Sequence, residues 1–87
     1  AVLPEPAVRV TPRNAMYANR EKVPLQDALH RIAGETIAYY PPGIPCVAVG
    51  EEISASVLQY IENRKALGYV PNGADDMTLE TIWVLQE

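Results

Sequence analysis

The stretch YYPPGIP at residues 39–45 constrains the fold of this chain more than any other part of its sequence. Pro41 and Pro42 each hold φ at about −65° and lack a donor N–H, whereas Gly43 can adopt positive φ without steric cost. Pro42 and Gly43 therefore fit the centre of a type II turn. ETIAYY before the turn and CVAV after it are rich in residues that favour strands, so we predict a rigid ribbon between two strands.

Three roles for this ribbon remain open from the residues alone. It can be a purely structural turn, or a stiff wall that presents Tyr39 or Tyr40 and main-chain groups to a neighbouring surface. The third role, a ligand for a proline-binding module, requires an exposed and mobile segment. A position between two apolar strands disfavours that third role.

The amino-terminal part of the sequence indicates a linker followed by one domain. Two prolines in AVLPEP bias the residues before them toward extended geometry, so residues 1–10 are predicted to be a linker and residues 11–87 the domain. VRV at residues 8–10 alternates as a short strand does, whereas NAMYA at residues 14–18 fits either a strand or one helical turn. The chain begins without a methionine or a signal-peptide pattern, and we expect it to be a piece of a longer polypeptide.

Helical spacing of apolar residues occurs in two segments. In residues 24–33 apolar side chains recur at positions 25, 28, 29 and 32, with a proline tolerated at the start and Gly34 at the end. In residues 54–67 the same spacing recurs, with Ser54 as the predicted N-cap and Gly68 as the C-terminal stop. The sequence therefore predicts two main helices.

A final strand at TLETIWVLQ completes the predicted order of strand, helix, strand, strand, helix, strand. This order indicates an α+β fold, a small sheet with the two main helices packed on one face. Lys22, His30 and Lys65 should be exposed. The side chains expected to be mostly buried are Leu25, Leu29, Ile32, Ile37, Val47, Val57, Leu58, Ile61 and Ile82.

The charge balance and the cysteine content argue against several classes of function. The 87 residues carry 11 acidic and 7 basic side chains, a net charge of −4, without a Lys/Arg cluster. This charge repels phosphate backbones and anionic lipid surfaces, so neither nucleic acid nor a membrane is an expected partner. No apolar stretch approaches the roughly 20 residues that span a bilayer. The single cysteine, Cys46, cannot form an internal disulfide, and we expect a cytoplasmic protein.

An ordered series of short motifs extends along much of the chain. It consists of Pro12-Arg13, Val23-Pro24-Leu25, Arg31-Ile32, Glu35, the YPPGIP stretch and Gly50-Glu51. The series resembles the C-terminal domain of the bacterial ornithine/lysine/arginine decarboxylases, which are pyridoxal phosphate (PLP)-dependent enzymes of the aspartate-aminotransferase fold type. The sequence departs from the family pattern at His30, where a glycine is usual, and also at Gly34, Tyr39 and Val49.

The resemblance implies a lyase that releases CO₂ from ornithine, lysine or arginine and gives a diamine or agmatine for polyamine biosynthesis. Within that enzyme the domain would be an accessory that packs on the large PLP-binding domain near the active-site entrance and supports a homo-oligomer. The family carries its PLP lysine in a Ser-x-His-Lys stretch of the large domain. Lys22 and Lys65 lack that context and are expected to be surface charges. The chain alone is therefore expected to bind no PLP and to be inactive.

The resemblance and the charge of the substrate nominate contacts with the active-site entrance or the large domain at Arg13, Glu35, Tyr40, Pro41, Pro42, Gly43, Ile44, Pro45 and Glu51. A carboxylate near the path of a cationic basic amino acid would attract it. Structural alternatives remain for the acidic residues. Glu35 can pair with Arg31 or Arg13, and Glu51 and Glu52 can stabilise a helix N-terminus.

The sequence nominates no catalytic, cofactor-binding or metal-binding residue. His30 has neither a histidine partner nor a matching cysteine spacing, and Cys46 is expected to fill a buried strand as a small apolar residue. The alternative to an accessory domain is a free-standing interaction or ligand-sensing module with the same fold. An unrelated upstream reading frame would favour that alternative. The sequence does not distinguish among the three substrates or assign an oligomeric state.

Overall fold

The computed structural model describes residues 18–39 and 45–86 together with Pro4 and Asn14, and within the first two ranges it contains two short antiparallel sheets and one α-helix. The predicted α+β class is confirmed. The elements in chain order are β1 (Arg20–Pro24), β2 (Ile37–Ala38), β3 (Pro45–Val47), α1 (Ala55–Ala66) and β4 (Thr81–Leu85).

The first sheet joins β1 to β4, the two ends of the described chain. Its register places Val23 opposite Ile82 and Lys22 opposite Trp83. Ile82 and Val84 are buried on one face because the side chains of a strand alternate between the two faces of its sheet. The β-branched and aromatic residues of TIWVL suit such a half-buried surface, so the predicted final strand is confirmed.

The second sheet joins β2 to β3 on the two sides of the proline ribbon. Ile37 pairs with Val47 and Ala38 with Pro45, with a register irregularity between Ile37 and Ala38. The backbone of Ala38 also exchanges two hydrogen bonds with Asn72, at 3.0 and 2.7 Å. Strands therefore bracket the ribbon as predicted. The type II turn proposed for Pro42 and Gly43, the linker at residues 1–10 and the strand at residues 8–10 lie outside the described residues, as does most of the segment 14–18.

The predicted helix over residues 24–33 is wrong. Pro24 belongs to β1, and only Leu25–Asp27 form a short 3-10 turn. His30 then adopts a φ of 67°, which is outside the right-handed helical region. Ile32 and Ala33 instead make single bridges to Glu52 and Val84, so this segment lies between β4 and the residues that precede α1.

The physical reason for this error is that tertiary pairing replaced local helical hydrogen bonds. The N–H of His30 donates to the carbonyl of Ile53 at 2.7 Å, and the N–H of Ala33 donates to the carbonyl of Glu51 at 2.8 Å. The N–H of Gly34 donates to the carbonyl of Trp83 at 2.9 Å. These partners are distant in sequence, and a local apolar pattern does not reveal them.

Two burial predictions that depended on the helix over residues 24–33 are also wrong. Leu29 is exposed and Ile32 is only partly buried, because the apolar face that would have buried them does not form. Leu58 is also partly buried, although it packs against the core. The other predicted core residues are buried, namely Leu25, Ile37, Val47, Val57, Ile61 and Ile82. Lys22 and His30 are exposed as predicted, whereas Lys65 is partly buried and donates to the carbonyl of Leu79 at 3.1 Å.

Helix α1 has the boundaries that the sequence predicts. The hydroxyl of Ser54 accepts a hydrogen bond from the N–H of Val57 at 3.2 Å, which satisfies one of the free donors of the first turn. At the other end Gly68 adopts a φ of 83°. Its N–H donates to the carbonyl of Lys65, and the N–H of Tyr69 donates to the carbonyl of Arg64, both at 3.0 Å. This pair of bonds is a Schellman motif, so the glycine stop is confirmed.

Candidate functional site

Glu35 is the most constrained carboxylate among the nominated contact residues. It is buried, its Oε1 accepts from the N–H of Asp75 at 2.9 Å, and its Oε2 accepts from the N–H of Trp83 at 2.8 Å. Hydrogen bonds to an ionised acceptor are shorter and stronger than neutral ones. Through these two hydrogen bonds Glu35 links the loop that contains Asp75 to the middle of β4. A contact of Glu35 with another domain stays a prediction.

The arginine expected to pair with Glu35 has other partners. The guanidinium of Arg31 lies 3.3 Å from the carboxylate of Glu21 and donates to the carbonyl of Leu85 at 3.0 Å. The alternative partner, Arg13, lies outside the described residues. The observed partners of Glu35 are backbone amides, which the sequence pattern does not identify.

Glu51 closes a tight turn directly after β3. Its N–H donates to the carbonyl of Ala48 at 3.0 Å, and its side-chain Oε1 accepts from the N–H of Ala48 at 2.7 Å. Gly50 provides the positive φ of 91° that this turn requires. The turn places a half-buried carboxylate three residues after Ala48, next to the strand that follows the proline ribbon.

Glu52 and His30 form a surface pair. The Nδ1 atom of His30 and the Oε2 atom of Glu52 are 3.0 Å apart, and the histidine ring is largely exposed. Neither Glu51 nor Glu52 lies in the first turn of α1, which begins at Ala55. The sequence suggested that both carboxylates stabilise the helix N-terminus. In the structure Glu51 instead accepts from the N–H of Ala48, and Glu52 pairs with His30.

Tyr39, the first residue of the ribbon, belongs to the core. Its ring meets the ring of Tyr60 edge-on, with 6.3 Å between the centroids and an interplanar angle of 64°. Among the described residues its hydroxyl has no hydrogen-bond partner, and burial raises its pKa to about 12. The role of presenting Tyr39 to a neighbouring surface is excluded by this burial. Tyr40 and the residues up to Ile44 lie outside the described part of the chain.

The last residue of the ribbon and its neighbour differ in exposure. Pro45 is exposed at the start of β3, whereas Cys46 is buried. Burial raises the pKa of the Cys46 thiol to about 11. A thiol must ionise to act as a nucleophile or metal ligand, so Cys46 fills the core as predicted.

Both lysines have a hydrogen-bond partner among the described residues. The Nζ atom of Lys22 lies 2.7 Å from the carboxylate of Asp75, and this hydrogen bond raises the lysine pKa. A Schiff-base lysine requires a lowered pKa instead. Lys65 is held by the carbonyl of Leu79. Neither lysine is followed or preceded by a glycine-rich loop whose N–H groups could bind the phosphate.

Sequence reasoning missed two clusters. The Oδ1 atom of Asp76 accepts from the N–H and hydroxyl of Thr78, and its Oδ2 atom accepts from the N–H and hydroxyl of Thr81. The D-x-T spacing in DMTLET is a local signal for such a turn. The second cluster is a stack in which the guanidinium of Arg64 lies 4.9 Å from the ring of Tyr60 and 5.2 Å from that of Tyr69.

The described residues contain neither a cluster of metal-ligand side chains nor a helix that could span a membrane. Within residues 18–39 and 45–86, no three His, Cys, Asp or Glu side chains come together as metal ligands would. No helix in those ranges reaches the length and hydrophobicity of a transmembrane span.

Comparison with known proteins gives one consistent group. Residues 1–70 match the family model described as Orn/Lys/Arg decarboxylase, C-terminal domain. The chain is 42% identical over 87 residues to an arginine decarboxylase of Bacillus subtilis (strain 168), an alignment that covers 99% of the chain and 18% of that protein. It is 44% identical over 77 residues to the inducible ornithine decarboxylase of Escherichia coli (strain K12), covering 83% of the chain and 10% of that protein.

Solved structures show the same fold. The constitutive lysine decarboxylase of Escherichia coli aligns with a TM-score of 0.76 at 24% identity, covering 93% of this chain and 14% of that one. A lysine decarboxylase of Francisella novicida aligns with a TM-score of 0.78 at 22% identity, covering 95% of this chain and 14% of that one. The chain thus spans less than a fifth of the length of each of these relatives.

Proposed function

Because the chain belongs to the family of Orn/Lys/Arg decarboxylase C-terminal domains, we propose that it is the accessory domain of a PLP-dependent decarboxylase of basic amino acids. The parent enzyme would convert ornithine, lysine or arginine to a diamine or agmatine and CO₂ in the cytoplasm, as a step of polyamine biosynthesis. The observation that carries this proposal is the 42% identity over 99% of the chain to an arginine decarboxylase.

In this proposal the PLP chemistry belongs to the rest of the polypeptide. Lys22 is hydrogen-bonded to Asp75 and Lys65 to a backbone carbonyl, which supports the expectation that neither forms the Schiff base. PLP supplies the electron sink for decarboxylation when it is bound. The domain would contribute shape and charge around the active site, together with contacts that support a homo-oligomer.

The surface that we propose to contact the active-site entrance or the large domain is centred on the ribbon and the turn that follows β3. The pairing of Ile37 with Val47 and of Ala38 with Pro45 brings the two ends of the ribbon together. The carboxylate of Glu51 lies at the end of β3, where its negative charge would attract a cationic substrate. The other residues of the proposed contact set are Arg13, Glu35, Tyr40, Pro41, Pro42, Gly43, Ile44 and Pro45.

The test compares the 87-residue chain with the complete polypeptide that contains it. The complete polypeptide should retain PLP after dialysis and release CO₂ from at least one of ornithine, lysine and arginine. The 87-residue chain should do neither. Retention of PLP by the 87-residue chain, or a complete polypeptide inactive on all three amino acids, would contradict the proposal.

A further inference from the structure

The C-terminal end of α1 carries an exposed apolar surface built around a fixed guanidinium. After the Schellman motif at Gly68, the ring of Tyr69 lies 5.2 Å from the guanidinium of Arg64, which also lies 4.9 Å from the ring of Tyr60. Leu67 and Val70, which are close to Arg64 and Tyr69 in the sequence, are 63% and 62% exposed, and Tyr69 is 40% exposed. We call Arg64, Leu67, Tyr69 and Val70 the Arg64 surface.

The charge at the centre of this surface has no counter-ion in the described part of the chain. The ion pairs found there join Lys22 to Asp75, His30 to Glu52 and Arg31 to Glu21, and none involves Arg64. Two rings already hold the guanidinium, so an incoming carboxylate would find it oriented and would cost little side-chain entropy. Arginine and tyrosine are two of the residue types that are enriched in binding hot spots.

We propose that the Arg64 surface docks against the large domain of the same polypeptide, on a face that presents a carboxylate next to apolar side chains. This inference rests on the proposed function. The relatives are more than five times longer than the aligned segment, since the chain spans 18% and 10% of the two decarboxylases. A covalently linked partner acts at an effective concentration of about millimolar, which favours it over a separate molecule.

A second copy of the chain is a less suitable occupant. In a two-fold interface the same patch faces itself, so two Arg64 guanidinium groups would approach each other near the axis. Like charges brought together in a partly dehydrated interface are unfavourable. An acidic and apolar face of the large domain does not have this disadvantage.

The test uses thiol labelling at two matched exposed positions. Val70→Cys lies in the Arg64 surface, and Met77→Cys, at a residue that is 51% exposed, lies outside it. Each variant is made in the 87-residue chain and in the complete polypeptide, and its alkylation rate by a maleimide is measured at neutral pH. The native Cys46 is buried and contributes little to the labelling.

In the complete polypeptide Val70→Cys should react about tenfold or more slowly than in the 87-residue chain, because docking limits access to the thiol. Met77→Cys should react at similar rates in both. Adding Arg64→Glu to Val70→Cys should restore fast labelling, whereas Arg64→Lys should leave much of the protection. Far-ultraviolet circular dichroism checks that the double variants stay folded.

Two outcomes would overturn the inference. Equal labelling of Val70→Cys in both polypeptides would show that the large domain does not cover this surface. Slow labelling in the 87-residue chain that becomes faster on dilution would assign the surface to a second copy. Decarboxylase activity of the complete polypeptide is measured in parallel. Protection without activity would refute the proposed function alone, and activity without protection would refute the docking surface alone.

Discussion

His30 has a backbone conformation that its own side chain disfavours. Its φ of 67° lies in the left-handed region, which costs a residue with a Cβ about 1 kcal/mol or more relative to glycine. The resemblance implies a glycine at this position, and a positive φ is a physical reason for one. A histidine at this position is therefore expected to lower the local stability relative to glycine.

This interpretation predicts that His30→Gly is more stable than His30→Ala by about 1 kcal/mol. Both substitutions remove the exposed ring and its pairing with Glu52, so that loss cancels in the comparison. Urea unfolding of the two variants measures the difference. Equal stabilities would show that position 30 does not hold a positive φ in solution.

Gly73 and Gly68 provide a second matched pair. Both have positive φ, 87° and 83°, but a Cβ at Gly73 would collide with the carbonyl oxygen of Thr36, whereas a Cβ at Gly68 meets nothing within 4 Å. Gly68→Ala should cost about 1 kcal/mol from backbone strain. Gly73→Ala should cost a further 1 to 3 kcal/mol, roughly, from overpacking.

Thermal or urea unfolding of the two glycine variants tests this order. If Gly68→Ala is the more damaging substitution, the close approach of residues 36 and 73 is not part of the folded state.

At the scale of elements, the loop before β4 depends on one carboxylate. Asp76 accepts four hydrogen bonds from Thr78 and Thr81, and those from Thr78 are the first cause of a pKa well below the ordinary aspartate value. Because the pKa is lowered in the folded chain, the ionised form stabilises the fold. This stabilisation is complete above the unfolded pKa of about 3.9 and is lost as the pH falls below it.

Asp76→Asn should therefore lower the unfolding midpoint at pH 7, and the difference from the wild type should narrow as the pH falls from about 4 toward 2. An amide nitrogen cannot accept the two bonds from Thr81, which is the reason for the loss at neutral pH. Asp27→Asn, at an exposed position, is the control and should leave the acid-side decline in place. A difference that stays constant from pH 7 to pH 2 would contradict this role of Asp76.

Of the two helices predicted from apolar spacing, α1 forms and the helix over residues 24–33 does not. For α1 the spacing is accompanied by Ser54 at the start and Gly68 at the end, and the structure contains both caps. For residues 24–33 the spacing has no N-cap side chain, and the segment pairs with residues 51–53 and with β4 instead. Local capping residues therefore distinguished the helix that forms from the one that does not.

At the scale of the whole molecule, the proposed role of Glu51 can be separated from its structural one. Glu51→Gln keeps a side-chain oxygen that can accept from the N–H of Ala48 but removes the charge. In the complete enzyme we expect kcat/KM for the cationic substrate to fall roughly fivefold, which corresponds to about 1 kcal/mol of attraction in a solvated site. The PLP absorbance should stay unchanged.

The difference between wild type and Glu51→Gln should shrink as salt is added, since screening acts beyond about 10 Å at 0.1 M ionic strength. Glu62→Gln removes an exposed charge on α1 and serves as the control. If the kcat/KM of Glu51→Gln matches that of the wild type at low salt, the role of Glu51 is limited to stabilising the turn after β3.

The sequence by itself determined the α+β class, the capped helix α1, the strands at the two ends of the ribbon and the family. Each of these depends on short local motifs, such as Ser54 at the start of its helix, or on the order of such motifs along the chain, such as YPPGIP followed by Gly-Glu. Only the tertiary structure decided that Ile32 and Ala33 bridge to Glu52 and Val84. It likewise decided that Glu35 binds the backbone of Asp75 and Trp83, and that the ring of Tyr69 lies next to Arg64. The physical reason is that a carboxylate or an N–H bonds to whichever partner the fold brings within about 3 Å, and for Glu35 those partners are 40 and 48 residues away.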